Sequence, residues 1–108
     1  MPSATEFNDN VDTLFDRFVE ILDSADAVDD AELNQGVLDI TCEDGSKIIV
    51  NRHAPTQEIW VAARSGGYHF RQVGHDWFDT RSGELLADAM TRVVREQTGV
   101  TVSFAEPA

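Results

Sequence analysis

Phe7, Val11, Leu14, Phe15, Phe18 and Leu22 follow one another at intervals of three and four, the stripe of an amphipathic helix with one face buried. Just ahead of them, Ser3-Ala4-Thr5-Glu6 has the form of a capping box, in which the Ser3 oxygen takes the Glu6 amide and the Glu6 side chain reaches back to the Ser3 amide. The spacing therefore predicts a helix that opens at this box and runs to about residue 23 or 24. From Asp29-Asp30-Ala31-Glu32-Leu33 onward the period drops to two. Leu38, Ile40 and Cys42 alternate with Val37, Asp39, Thr41 and Glu43 up to the turn signal EDGS, and SKIIVNR returns as the second arm of a hairpin. Pro55 interrupts the pairing, QEIWVAA resumes it, RSGG turns it, and YHFRQV and HDWFDT follow around Gly74, which gives five or six short strands.

A second helix is expected from Ser82 as N-cap, with Leu85, Leu86, Ala89, Met90, Val93 and Val94 at helical spacing and Gly99 as the stop. The tail VTVSF reads as extended chain lying against the core. Helix, antiparallel strands, helix is the order of an α+β two-layer sandwich, with both helices on one face of the sheet and the other face wet. At 108 residues the whole chain, 1–108, is expected to form one domain. Apolar runs of a few residues are far too short to cross a bilayer. The start MPSATEFNDN has no basic, apolar secretory leader, and the single Cys42 has no intramolecular partner, so a reducing, cytoplasmic location is expected.

Charge changes this picture once it is located. The net charge is -12, and residues 1–44 hold thirteen Asp and Glu against Arg17 alone, while residues 45–108 hold seven acids and seven bases. Such a field attracts cations and basic surfaces and disfavours nucleic acid and anionic membranes as partners. At roughly 100° per residue, Asp9, Asp12, Asp16, Glu20 and Asp23 fall within about 80° of one another on the helix, opposite its apolar stripe. Their like-charge pairs at three and four residues cost about 0.2–0.5 kcal/mol each, roughly 1–2 kcal/mol together. Glu20 and Asp23 stand where the helix dipole is already negative. Without a lysine in between, the charge runs on through Asp26, Asp29, Asp30 and Glu32.

A face of this kind can simply be solvated and aid solubility. It can also offer single carboxylate oxygens to a hard cation such as Fe2+, Fe3+, Mn2+ or Ca2+, with water completing the shell, or meet an Arg- and Lys-rich partner surface. Catalysis, by contrast, has no visible machinery: nucleophile elbow, P-loop and dinucleotide fingerprint are all lacking. His53, His69 and His75 lack metal-ligand spacing and read as structural or surface residues. One further residue stands out. If Ile59 and Val61 face the helices, Glu58 and Trp60 point from the open face with Lys47, Ile49 and Asn51, and an exposed Trp is a good interface anchor; a Trp covered by a neighbouring loop fits the same alternation.

The stretch GVLDITCEDGSKIIVNRHAPTQEIWVAARSGGYHF, followed by DWFDTRSGE, resembles the bacterial frataxins, and with the acidic first helix the likeness covers nearly the whole chain. The resemblance implies a non-enzymatic protein that binds iron weakly at its surface, docks on the cysteine desulfurase of the iron–sulfur scaffold machinery and modulates cluster assembly. It places the metal ligands on Asp9, Asp12, Asp16, Glu20, Asp23, Asp26, Asp29 and Asp30. Partner contacts are expected at Glu20, Asp23, Asp29, Asp30, Glu32, Asn51 and Trp60. The family often pairs acids near the end of this helix, whereas here Val19 precedes Glu20 and Ser24 follows Asp23. A monomer is expected without metal; an iron store built from metal-driven oligomers is the alternative.

Overall fold

A computed structural model describes residues 3–105. The first helix, α1 (Ala4–Ala25), is followed by strands β1 (Asp30–Asn34), β2 (Val37–Thr41), β3 (Lys47–His53), β4 (Glu58–Ala63), β5 (Gly66–Val73) and β6 (Asp76–Asp79), with a 3-10 turn at Ala54–Thr56 between β3 and β4, and then by α2 (Leu86–Thr98). The six strands form one sheet in sequence order, every neighbour antiparallel. The α+β sandwich expected from the alternation of periods is the architecture observed.

The apolar stripe of α1 is buried as its spacing requires: Phe7, Val11, Leu14, Phe15, Phe18 and Leu22 all enter the core. There they meet Leu38, Ile40, Ile48, Val50, Ile59, Val61 and Phe70 from the sheet and Leu86, Ala89, Met90, Val93 and Val94 from α2. Cys42 is buried among them as a free thiol. The extended tail also packs inward, burying Val102 and Phe104, and Phe104 meets Phe18 edge to face at 5.2 Å. Burying a large apolar side chain contributes about 1.5–3 kcal/mol, so this tail is a structural part of the sandwich.

Helix ends differ in detail from the sequence expectation. At the start of α1 the Glu6 amide donates to Ser3 Oγ at 3.1 Å, as a capping box requires, but the Glu6 carboxylate accepts from the Ser3 hydroxyl at 3.3 Å instead of reaching the amide. At its other end α1 runs to Ala25 and closes on Asp26 in the left-handed conformation, φ 51°, which Asp tolerates better than most residues. The second helix starts at Leu86 with Leu85 as its N-cap, without a side-chain capping bond; Ser82 is not the cap. The chain before it stays bound to β6, where Asp79 N donates to Glu84 O at 2.8 Å and Phe78 bridges Leu85. Ser82 Oγ instead takes the Glu84 amide at 3.2 Å, so the residues expected to begin the helix close a loop.

Candidate functional site

The register fixes which side chains share the face without helices. Asn51 lies directly across from Trp60, Trp60 across from His69, and Val37 and Asn34 continue that row to the outer strand β1. Glu32 and Asp39 face each other one step along. Because side chains alternate along a strand, Asp30 and Glu32 stand on the open face, while Ala31 and Leu33 turn toward the helix layer. The acidic run of the sequence thus wraps from α1 around the loop and over β1 onto the same face as Asn51 and Trp60.

Every residue of the acidic set is exposed: Asp9, Asp12, Asp16, Glu20, Asp23, Asp26, Asp29, Asp30 and Glu32. Among the described residues only Asp12 of this set has an ionic partner, Arg52. That arginine faces the helices from β3. It donates through Nη1 to Asn8 Oδ1 at 3.1 Å, lies over the Phe15 ring at 5.7 Å from its centroid and binds Asp12 through Nη2. The side chain passes over Gly36, φ 80°, where a Cβ would come within 2.9 Å of Arg52 Nε. Glycine at 36 therefore makes room for the arm that ties Asp12 down.

The remaining carboxylates converge only at the end of α1. Asp23, Asp26, Asp29 and Asp30 line a shallow depression of about 320 Å³ floored by Leu22, Val28 and Ala31. The last carbonyls of α1 add the negative pole of its dipole there, with no basic residue in the last turn. Even so, among the described residues no three His, Cys, Asp or Glu side chains come close enough to cage one ion. This donor set fits a hydrated, exchangeable hard cation touched by one or two carboxylates and does not fit a closed coordination sphere.

Around Trp60 the structure places more than alternation shows. Its indole is half-buried between two imidazoles, His53 at 3.9 Å and 12° and His69 at 4.3 Å and 10°. The indole Nε1 donates to Glu58 Oε1 at 2.9 Å. Thr56 Oγ1 donates to the same oxygen at 3.1 Å, and Arg71 Nη2 donates to Glu58 Oε2 at 2.8 Å. These bonds, that from Trp60 foremost, hold the Glu58 carboxyl below its usual range against the opposing effect of burial. Trp60 is thus on the open face as expected, yet its ring faces are already taken. His53, His69 and Glu58 were not singled out as site residues from sequence. Glu58 lies two positions from Trp60 on the same strand, and His69 follows from the RSGG turn only once the hairpin register is known.

The described residues thus form a two-layer sandwich with an acidic edge, of which Asp12 alone has an ionic partner among them, and an aromatic stack on the open sheet face. The frataxin-like domain model matches residues 2–100, and the chain belongs to the frataxin-like family. Among solved structures it is similar to the frataxin of Psychromonas ingrahamii, with a TM-score of 0.91 and 28% identity over 97% of this chain and 100% of that one. It is also similar to the trimeric frataxin of the yeast Saccharomyces cerevisiae complexed with ferrous, with a TM-score of 0.69 and 28% identity over 88% of this chain and 87% of that one. The same yeast protein with its full-length N-terminus gives 0.70 over 93% and 84% at 28% identity. Membership places the chain in a family of iron and iron–sulfur cluster biogenesis whose members are generally iron-binding and regulatory, without enzymatic activity.

Proposed function

We propose that this chain is an iron-binding regulator or iron donor of iron–sulfur cluster assembly, working in the cytoplasm by docking its acidic edge on a cysteine desulfurase. The observation that carries this reading is the run of carboxylates from Glu20 to Glu32 that has no ionic partner among the described residues. A folded protein gains no stability from that arrangement, whereas a basic partner surface gains both steering and affinity from it.

Iron is cargo in this scheme, held weakly and with water on Asp9, Asp16, Glu20, Asp23, Asp26, Asp29 and Asp30, with Asp12 contributing through the oxygen that Arg52 leaves. The desulfurase meets Glu20, Asp23, Asp29, Asp30 and Glu32, and Asn51 and Trp60 contact the scaffold or the desulfurase from the adjoining face. Replacing both Glu20 and Asp23 by Lys tests the scheme. The double variant should fold as the parent does and lose purified desulfurase in a pull-down; undiminished capture removes the edge from the mechanism.

A second reading has one observation in its favour: the yeast frataxin complexed with ferrous is trimeric. In that case the chain stores iron in metal-driven oligomers, with cations bridging the edges of neighbouring copies. Sedimentation with and without Fe2+ separates the two, since storage requires large assemblies on iron addition and regulation requires a monomer throughout.

A further inference from the structure

Glu58 is only 7% exposed although it sits on the face of the sheet that has no helix above it. A carboxylate taken out of water there is costly unless its lone pairs are used, and Trp60, Thr56 and Arg71 use them. None of these bonds ties the two layers of the sandwich together. What they fix is a ring. Thr56 Oγ1 also lies 2.8 Å from His53 Nδ1 and 3.5 Å from the His53 carbonyl oxygen; when the Thr56 hydroxyl donates to Glu58, the His53 nitrogen is the donor to Thr56. A single carboxylate therefore orients the indole directly and one of its two stacking imidazoles through Thr56.

Resting on the reading that Trp60 docks on a partner, we propose that Glu58 is a positioning residue for that docking, clamping the indole edge so that the partner meets a rigid three-ring ledge of His53, Trp60 and His69. Both faces of the indole are covered, so the ledge offers ring edges. Arg71 is paired with Glu58 at 2.8 Å, so the clamp itself brings no unpaired charge to the ledge, whose carbon edges suit an apolar group of the desulfurase–scaffold complex. A Trp that is already immobile loses less freedom on binding than one that swings in water.

The test compares Glu58→Leu, Glu58→Gln and Trp60→Ala for binding to a purified complex of cysteine desulfurase and scaffold, with the Trp60 indole N–H followed by NMR and its motion by fluorescence anisotropy decay. Glu58→Leu keeps the bulk and removes the acceptor. It should bind about tenfold more weakly and show a mobile indole with a shifted N–H signal, while Glu58→Gln, which keeps an acceptor oxygen, restores most of both. Parent-like affinity and indole motion in Glu58→Leu, alongside a loss in Trp60→Ala, overturns the clamp and leaves the docking role of Trp60 standing. Parent-like affinity in Trp60→Ala overturns the docking reading and the proposal with it. Should Glu58→Leu fail to fold, Thr56→Val carries the test, with about threefold weaker binding and a looser ring stack expected and no change overturning the clamp.

Discussion

From Glu20 to Glu32 six carboxylates stand without an ionic partner among the described residues, whereas on the adjoining sheet face Glu58 meets Arg71 at 2.8 Å and Asp39 meets Lys47 at 3.0 Å. The edge acts at a distance: its field reaches about a Debye length, roughly 8 Å at physiological salt, and needs no fixed geometry. The sheet face acts at contact, through rings held within 12° of parallel. Under the proposed function, one region finds a basic partner quickly and the other decides how it seats. Keeping them on neighbouring parts of one surface lets a single partner use both in succession.

The largest effect separates the two regions by their response to salt. Glu20→Lys with Asp23→Lys should weaken desulfurase binding at least about tenfold at low ionic strength and flatten its salt dependence, while Trp60→Ala should weaken binding with the parent slope intact. Titrations in 50 and 500 mM salt check this. Equal slopes for both variants would dissolve the distinction between a steering edge and a seating face.

Next in size is Arg52, which holds α1 to the sheet and pairs with one oxygen of Asp12 on the ridge. Arg52→Ala should destabilise the fold by about 2 kcal/mol, because hydrogen bonds to charged groups contribute about 1.5–3 kcal/mol and its guanidinium also lies over the Phe15 ring. Gly36→Ala should cost about 1–2 kcal/mol, from a left-handed backbone position and from the push on Arg52. Urea unfolding measures both; a neutral Gly36→Ala would show that the arm has another path.

Acidification probes the sheet face. Glu58 has its carboxyl lowered in the folded state, so its contribution is fully present above the ordinary carboxylate range and is lost as pH falls through the depressed value. The difference in Tm between the parent and Glu58→Gln should therefore be constant near neutrality and shrink below about pH 4.5. Thermal scans from pH 7 to pH 3 give the curve, and a gap that widens on acidification would contradict the hydrogen-bond assignment.

The smallest effect runs the other way. Asp23→Lys alone should stabilise the protein by about 0.5–1 kcal/mol, since it removes repulsion with Glu20 and places a cation at the negative end of α1. A stabler protein that binds its partner less well is what an edge selected for binding predicts. A loss of stability would mean that Asp23 has a structural role.

The layer order, the stripe of α1, the inward strand residues and the acidic run were all legible in the sequence, because each follows from side-chain period or charge within a short window. The start of α2 was not. Ser82 has the chemistry of a cap, but backbone bonds from Asp79 to Glu84 and Gly83 keep that segment beside β6, and such pairing depends on where β6 lies. The pairing of Asp12 with Arg52 was hidden for the same reason. Arg52 follows an inward position, Val50, by two residues, a hint that a base faces the helix layer, yet its partner is forty positions away.

The sequence by itself determined that this protein is an α+β sandwich with its excess charge confined to its first 44 residues, since periodicity and charge are properties of the chain alone. Only the tertiary structure decided which of those charges stay unpaired and that Trp60 is locked between His53 and His69 by Glu58. Those outcomes depend on strand register and on distances between residues remote in the chain, which no local pattern encodes.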